Sequence, residues 1–169
     1  MDYFERHEHI QVSLVLSNKR EAQVLERATK KMVPAMYFNK FAFAKANSIQ
    51  NLLHSINPDL IVLAGFLWKF PVHLTEAFPN KIINIHPALL PKYGGKGMYG
   101  MHVHEAVVAN KEAESGITIH YVNEHYDEGA IIAQHACELL PTDTAQDVAG
   151  KIHVLEQEHF AREIEKLLA

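Results

Sequence analysis

The pattern of apolar and polar positions predicts strands and helices in alternation. Apolar runs of strand length fall at 10–16, 34–38, 60–64, 81–86, 116–122 and 130–139. Apolar residues at helical spacing fall between or after these runs, at 20–31, 44–56, 71–78, 102–110 and 144–168. This alternation is typical of an α/β domain with a largely parallel sheet. The run at 60–64 is apolar throughout, which predicts a central strand covered on both faces.

The segment 82–93 combines a strand pattern with two prolines. Pro87 and Pro91 lack the amide hydrogens of a strand ladder, so the strand must end at His86. Asn84 lies two residues earlier, and period-2 alternation places both side chains on one face. The sequence therefore presents an amide and an imidazole where a strand opens into a loop, which is where α/β sheets bind ligands.

This pair suits the transfer of an acyl-type group. An asparagine amide donates to a developing oxyanion, and a histidine acts as general acid or base near neutral pH. A structural role is the alternative, with Asn84 satisfying backbone groups and His86 capping the strand. Asp127 precedes Gly129 in a polar turn, where it would orient His86 or a water molecule, or bond its own backbone.

Composition restricts the class of protein. The chain has 169 residues, of which 48% are hydrophobic and 21% charged, with a net charge of −4. No block of lysine and arginine points to nucleic acid, and the single Cys137 fits a reducing compartment. Because the first residues are polar and no apolar run is long enough to span a membrane, we expect no signal peptide and no membrane span. We therefore expect one cytoplasmic domain over 1–169, because no repeat or linker interrupts it.

For two further segments we consider both a ligand-binding role and a structural one. His102 and His104 follow a glycine-rich loop, but a metal site needs three or four convergent ligands and no such spacing occurs, so we expect no metal. The segment 65–71 places aromatic side chains beyond the apolar run at 60–64. It suits a flat heterocyclic ligand, or it packs in the core at a strand–helix junction.

Taken together, these motifs resemble the formyltransferases that use 10-formyltetrahydrofolate. The resemblance runs from about residue 10 to the C-terminus and depends on Asn-Ile-His-Pro-Ala-Leu-Leu-Pro at 84–91 and Asp-Glu-Gly at 127–129. Val-Leu-Ala-Gly-Phe at 62–66 and Gly-Ile-Thr-Ile-His-Tyr-Val at 116–122 extend it. Within the family, the motifs are most similar to the members that formylate glycinamide ribonucleotide in purine synthesis.

The resemblance implies a three-layer, Rossmann-like formyltransferase domain with a mostly parallel sheet. It implies that Asn84 and His86 stabilise the oxyanion formed when the substrate amine attacks the formyl carbon, while Asp127 tunes His86 and moves a proton through water. It implies that Glu158 holds that amine and that His102 contacts Asp127. The residues implied at the folate are Lys40, Leu67, Trp68, Lys69, Phe70, Asn84, Asn123, Glu124, His125, Tyr126 and Asp127. A monomer or homodimer is expected.

The start of the chain departs from the family. Members begin with a strand and a Gly-Ser-Gly-containing loop whose backbone amides cradle the substrate phosphate. No segment here matches that loop, so we expect the first strand to be missing, either by truncation or in a variant without phosphate binding. An open sheet edge would follow, with reduced stability, aggregation or self-association.

Two other functions compete with transfer to glycinamide ribonucleotide. A formyltetrahydrofolate hydrolase passes the formyl group to water, but that family usually has an N-terminal regulatory domain and lacks the Gln-Glu-His segment found here at 157–159. A non-catalytic folate-binding protein would keep 67–70 and 123–127 without the phosphate loop. A methionyl-tRNA formyltransferase is disfavoured, because it needs a further domain and a basic RNA surface.

Overall fold

A computed structural model describes residues 1–45 and 47–169, which fall into two compact units, Met1–Asp59 and Leu60–Ala169. The first unit begins with a 3-10 turn at Asp2–Phe4. Its elements are β1 (Val15–Ser17), α1 (Gln23–Lys30), β2 (Ala35–Tyr37), α2 (Lys40–Ala44) and α3 (Ile49–Ile56). The strands β1 and β2 pair in parallel, with Val15 opposite Ala35 and Ser17 opposite Tyr37.

Two expectations for the first unit change in the structure. The strand predicted at 10–16 is only three residues long, because β2 offers only three residues for pairing. The helix predicted at 44–56 is found as α3, which begins at Ile49, and a separate short helix, α2, ends at Ala44. Asn39 caps α2 by accepting a hydrogen bond from the Ala42 amide at 2.8 Å. The helix α3 ends at Asn57, whose φ of 50° is left-handed and stops the helix.

The second unit contains a four-stranded sheet in the order β3-β4-β5-β6. Its elements are β3 (Ile61–Leu63), α4 (Val72–Ala77), β4 (Ile82–His86), α5 (Met101–Ala109), β5 (Glu114–Tyr121), β6 (Ile131–Glu138) and α6 (Ala145–Leu168). The pair β3–β4 is parallel, and the pairs β4–β5 and β5–β6 are antiparallel. The α/β fold is confirmed, but its pairing is more evenly mixed than predicted, with two parallel and two antiparallel pairs across both sheets.

The innermost strands of this sheet are β4 and β5 rather than β3. The prediction of a central strand at 60–64 is wrong for this sheet, since β3 lies at its edge among the described strands and Val62 is 38% exposed. Ile83 on β4 and Ile117 and Ile119 on β5 are instead fully buried. Strand order depends on pairing between distant segments, which an apolar run does not report. The strand β4, which carries Asn84 and His86, thus lies in the buried middle of this sheet.

The long helix α6 begins at a capping box formed by Thr144 and Asp147. The Thr144 hydroxyl oxygen accepts from the Asp147 amide at 3.2 Å, and the Asp147 carboxylate accepts from the Thr144 amide at 2.9 Å. Val148 and Ile152 bury one face of α6 against β5, β6 and α5. None of the helices in residues 1–45 and 47–169 is long and apolar enough to cross a membrane.

Candidate active site

Strand pairing builds the candidate site on β4 and β5. The register places Asn84 opposite His120 and His86 opposite Thr118. The amide nitrogen Nδ2 of Asn84 lies 3.2 Å from Nε2 of His120. Asn84 and His86 both face the same group of side chains, as their two-residue spacing predicts.

Asp127 joins this group from the connection between β5 and β6. Its backbone has a φ of 57°, a left-handed conformation that is rare outside glycine, and its side chain is 12% exposed. The carboxylate oxygen Oδ2 accepts a hydrogen bond from the Gly95 amide at 2.9 Å and lies 3.6 Å from Nδ1 of His86. The other oxygen, Oδ1, lies 3.6 Å from Nε2 of His120. The structure therefore brings together the three residues that the sequence predicts for the site, Asn84, His86 and Asp127. His120 links the Asn84 amide to the Asp127 carboxylate.

Glycines allow the loops of the site to approach this closely. A Cβ atom on Gly129 would lie 1.7 Å from the Tyr121 carbonyl oxygen. A Cβ atom on Gly94 would lie 2.6 Å from Leu90 Cδ2 and 3.3 Å from Asp127 Cβ. Any side chain at 129 would push the connection that carries Asp127 away from β5.

Replacing Gly129 with alanine is expected to lower the free energy of unfolding by about 3 kcal/mol, because backbone must move to admit the methyl group. Urea denaturation of both proteins measures this. Gly150→Ala is the matched control: Gly150 lies in α6 with no atom within 4 Å of the added Cβ, so alanine should stabilise by about 0.5–1 kcal/mol. Equal stability of wild type and Gly129→Ala would show that the connection adapts freely.

The protonation state of His120 follows from its partners. Its Nδ1 lies 2.9 Å from the Tyr121 carbonyl oxygen, and a carbonyl only accepts, so Nδ1 carries a hydrogen. Burial lowers the pKa of His120, although the Tyr121 carbonyl and Asp127 oppose this shift. In the neutral ring Nε2 is then an acceptor, and it receives a hydrogen bond from the Asn84 amide. This arrangement fixes which way the Asn84 side chain points.

Three residues of the site were not predicted from the sequence. They are His120, Tyr93, whose carbonyl bonds His86, and Gly95, whose amide bonds Asp127. His120 stands in the motif at 116–122, but only the register with β4 shows that it faces Asn84. Tyr93 and Gly95 contribute backbone groups, which carry no side-chain signal in the sequence. The one signal in the sequence that points to His120 is strand alternation, which places His120 on the same face of the strand as Thr118.

His86 is buried, and both of its ring nitrogens face oxygen acceptors. Nε2 lies 2.7 Å from the Tyr93 carbonyl oxygen and therefore donates to it, while Nδ1 faces Asp127. No N–H of His86 is left over for a substrate oxygen in this arrangement, whereas the Asn84 amide has two N–H groups and His120 takes one. The geometry thus favours Asn84 as the donor to an oxyanion.

The loop after His86 is fixed to the sheet by Thr118 and Gln134. The Thr118 hydroxyl donates to the Ala88 carbonyl at 2.6 Å and accepts from the Leu90 amide at 3.0 Å. The Gln134 side-chain amide donates to the Leu90 carbonyl at 3.0 Å. These bonds satisfy backbone groups that the prolines leave without ladder partners. They hold the loop that supplies Tyr93 to His86.

Two residues expected at the substrate lie outside this group. The structure does not show the predicted contact of His102 with Asp127: the His102 side chain is 64% exposed and pairs with Glu105 at 3.5 Å. On α5, residues two apart point in different directions, and here it is not His102 but His104 that is buried. Glu158 lies on α6 with its side chain 60% exposed, and its carboxylate is 3.9 Å from Nε2 of His159.

The segment expected to meet the folate is partly packed and partly exposed. The Phe66 ring makes edge-on contacts with Trp68 at 6.0 Å and Phe70 at 6.2 Å, and Phe70 is buried. Leu67 is 47% exposed. Within the described part of the chain, no backbone hydrogen bond involves Leu67 or Lys69. Open backbone groups beside apolar rings fit the edge of a flat heterocycle, so the residues present are compatible with a folate.

The remaining residues expected at the folate lie in two places. Asn123 opens the second segment, where its side-chain oxygen accepts from the His125 amide at 2.9 Å, and Tyr126 is 37% exposed. Glu124 lies beside His125 at 3.6 Å. Lys40 belongs to the first unit, where it is the first residue of α2. No group of side chains in residues 1–45 and 47–169 is arranged to hold a metal ion.

Two buried histidines make stability sensitive to acid. Burial lowers the pKa of His104 and of His120, and His104 Nδ1 has no hydrogen-bond partner among the described residues. The unfolded chain, whose histidines titrate near pH ~6.5, therefore binds more protons than the folded one below that pH. Stability should be complete above pH ~6.5 and fall as the pH drops further.

Thermal melts between pH 7.5 and pH 5 measure this dependence. His104→Leu should flatten the loss of stability at low pH, because it removes one of the two histidines whose pKa burial lowers. His9→Gln is the control, since the His9 side chain is 84% exposed and its replacement should leave the pH dependence unchanged. An equally steep loss in His104→Leu would assign the acid sensitivity to other groups.

The structure groups Asn84, His86 and Asp127, which the motifs predict, with His120, and comparison with known proteins identifies the family. Residues 2–164 match the family model described as Formyl transferase. The chain belongs to the formyl transferase family.

Similar proteins from bacteria and plants share this family. A phosphoribosylglycinamide formyltransferase of Bacillus subtilis (strain 168) is 38% identical over 162 residues, covering 92% of this chain and 80% of that protein. The chloroplastic phosphoribosylglycinamide formyltransferase of Arabidopsis thaliana is 40% identical over 153 residues, covering 88% of this chain and 52% of that protein. The chain thus spans about half the length of the plant relatives it matches. The crystal structure of phosphoribosylglycinamide formyltransferase from Anaplasma phagocytophilum aligns with a TM-score of 0.88 at 29% identity, over 99% of this chain and 78% of that one.

Proposed function

We propose that this protein transfers a formyl group from 10-formyltetrahydrofolate to the amine of glycinamide ribonucleotide, a step in purine synthesis. The observation that carries the proposal is the group around Asp127, where one carboxylate lies 3.6 Å from two buried imidazoles beside the Asn84 amide. Such a group supplies a hydrogen-bond donor and proton-transfer residues side by side. The names of the similar proteins, phosphoribosylglycinamide formyltransferases, support this choice of substrate.

Asn84 is proposed to stabilise negative charge on the formyl oxygen. 10-Formyltetrahydrofolate would supply the formyl group when it is bound. One N–H of the Asn84 amide bonds to His120, which holds the amide in place and leaves the second N–H for the oxygen. A donor that is already oriented needs no rearrangement as charge develops. His86 would add a second donor only if its Nε2 leaves the Tyr93 carbonyl.

Asp127 is proposed to move the proton that the amine gives up to the folate nitrogen, which leaves as its bond to the formyl carbon breaks. Its oxygen Oδ2 is held by the Gly95 amide and faces His86, and its oxygen Oδ1 faces His120. A carboxylate held in this way can accept a proton through a water molecule and share it with either imidazole. When His86 takes up this proton, it donates to Asp127 from Nδ1 and to the Tyr93 carbonyl from Nε2.

The substrate and donor contacts remain proposals from the resemblance. Glu158 would hold the amine of glycinamide ribonucleotide, and the exposed part of 67–70 together with 123–126 would hold the folate. The assignment of Lys40 to the folate also rests on the resemblance alone. The oligomeric state, monomer or homodimer, and the cytoplasmic location also remain predictions, since two of the relatives are named chloroplastic.

A formyl-transfer assay with purified protein tests the proposal. The protein is incubated with 10-formyltetrahydrofolate, with and without glycinamide ribonucleotide, and tetrahydrofolate and formate are measured. Tetrahydrofolate release that requires the amine supports the proposal. Formate release without the amine would instead identify a hydrolase. Folate binding by calorimetry without turnover in either mixture would identify a non-catalytic binding protein.

A further inference from the structure

A second group of ionisable side chains lies between β6 and α6, apart from the group around Asp127. The imidazoles of His135 on β6 and His159 on α6 stack face to face, with centroids 3.7 Å apart and planes 7° from parallel. Nε2 of His135 is buried without a hydrogen bond of good geometry, and it lies 3.3 Å from Oε1 of Glu163. Two rings from different elements are therefore held in one orientation.

The buried Glu163 fixes the position of this stack. Its carboxylate accepts from Lys166 Nζ at 2.8 Å, and this bond, with help from His135, lowers the pKa of Glu163. The carboxylate therefore stays ionised beside His135. His159 and Glu163 lie four residues apart on α6 and so share the helix face that meets β6.

Glu158 lies next to His159 on α6. Nε2 of His159 lies 3.9 Å from Oε2 of Glu158, a distance longer than a hydrogen bond. A glutamate that is 60% exposed on a helix samples many rotamers unless a neighbour restrains it. The stack on His135 places the His159 ring at one position beside this carboxylate.

We propose that the stack of His135 on His159 is a positioning device, which restrains Glu158 so that its carboxylate is preorganised to receive the substrate amine. This inference rests on the proposed function, which gives Glu158 that amine. His135 acts through His159, and neither histidine touches the reacting atoms. The ordering of one long side chain before binding favours affinity for the amine substrate rather than the chemical step.

The test compares two apolar replacements of His135, of which one keeps a flat ring and the other does not. His135→Leu removes the stacking partner, and His135→Phe retains a ring that can stack on His159. We expect His135→Leu to raise KM for glycinamide ribonucleotide by about three- to tenfold with kcat within about twofold of wild type. His135→Phe should restore the wild-type KM. His153→Leu is the control, because His153 is an exposed histidine of the same helix that pairs with Glu156.

A double variant shows whether the effect passes through Glu158. If it does, adding His135→Leu to Glu158→Gln should raise KM no further than Glu158→Gln alone, so the two changes are not additive. Loss of the upfield ring-current shift of the His159 protons in His135→Leu, measured by NMR, confirms that the stack was removed in a folded protein.

The outcomes separate this inference from the function it rests on. No turnover by the wild-type protein overturns the proposed function and this inference with it. Turnover with an unchanged KM in His135→Leu, or additive effects in the double variant, overturns only the role of the stack. A raised KM that His135→Phe does not restore also overturns it, because the flat ring would then be irrelevant.

Discussion

Asn84→Ala is expected to lower kcat by about 10²–10³-fold, the usual cost of removing one preorganised oxyanion donor. The amide of Asn84 is held by His120 at 3.2 Å, so the donor is oriented before the substrate binds. Alanine removes the donor without disturbing β4, whose neighbours Ile83 and Ile85 hold the strand in the core. Steady-state kinetics of formyl transfer measure the change, with the folate affinity determined separately by calorimetry.

Asn51→Ala is the matched control for Asn84→Ala. Asn51 lies on α3, where its side chain is exposed and bonds only a nearby backbone carbonyl. Its replacement should leave kcat unchanged. A kcat of Asn84→Ala within about threefold of wild type would remove Asn84 from the role of oxyanion donor and leave it as a partner of His120.

Asp127→Asn is expected to lower kcat by about 10²-fold or more, because it removes the group proposed to move the proton. Asparagine keeps the shape of the side chain and an oxygen for the Gly95 amide, but it neither gains nor loses a proton. Steady-state kinetics of formyl transfer measure the change.

Asp59→Asn is the control for Asp127→Asn, since Asp59 is an exposed aspartate in a turn of the first unit. Its kcat should match wild type. A kcat of Asp127→Asn within about threefold of wild type would show that Asp127 does not move the proton.

The side chains of the site were easier to predict than their surroundings. Two prolines mark the end of β4, so the common face of Asn84 and His86 follows from local rules alone. Asp127 was recognised by its place between two strands and its distance from Gly129. Local sequence carries this information because strand ends and turns have their own residue preferences.

The errors concern contacts between segments that are distant in the sequence. The run at 60–64 has the composition of a central strand, yet β3 is an edge of its sheet, because strand order is decided by pairing and not by composition. His120 was missed because its place in the site depends on the register of β5 against β4. His102 was assigned to Asp127, but the structure gives that carboxylate to His86, His120 and Gly95.

The residues of the site belong to two parts of the unit that are expected to differ in local stability. Asn84 and His120 belong to the two inner strands, whose amide hydrogens should exchange with deuterium only when the whole unit unfolds. Asp127 belongs to the connection 122–130, whose amides should exchange through brief local opening. Such an opening would withdraw the carboxylate from both imidazoles while the amide stays in place. Local opening of this connection is therefore expected to interrupt proton transfer without displacing the Asn84 amide that holds the oxygen.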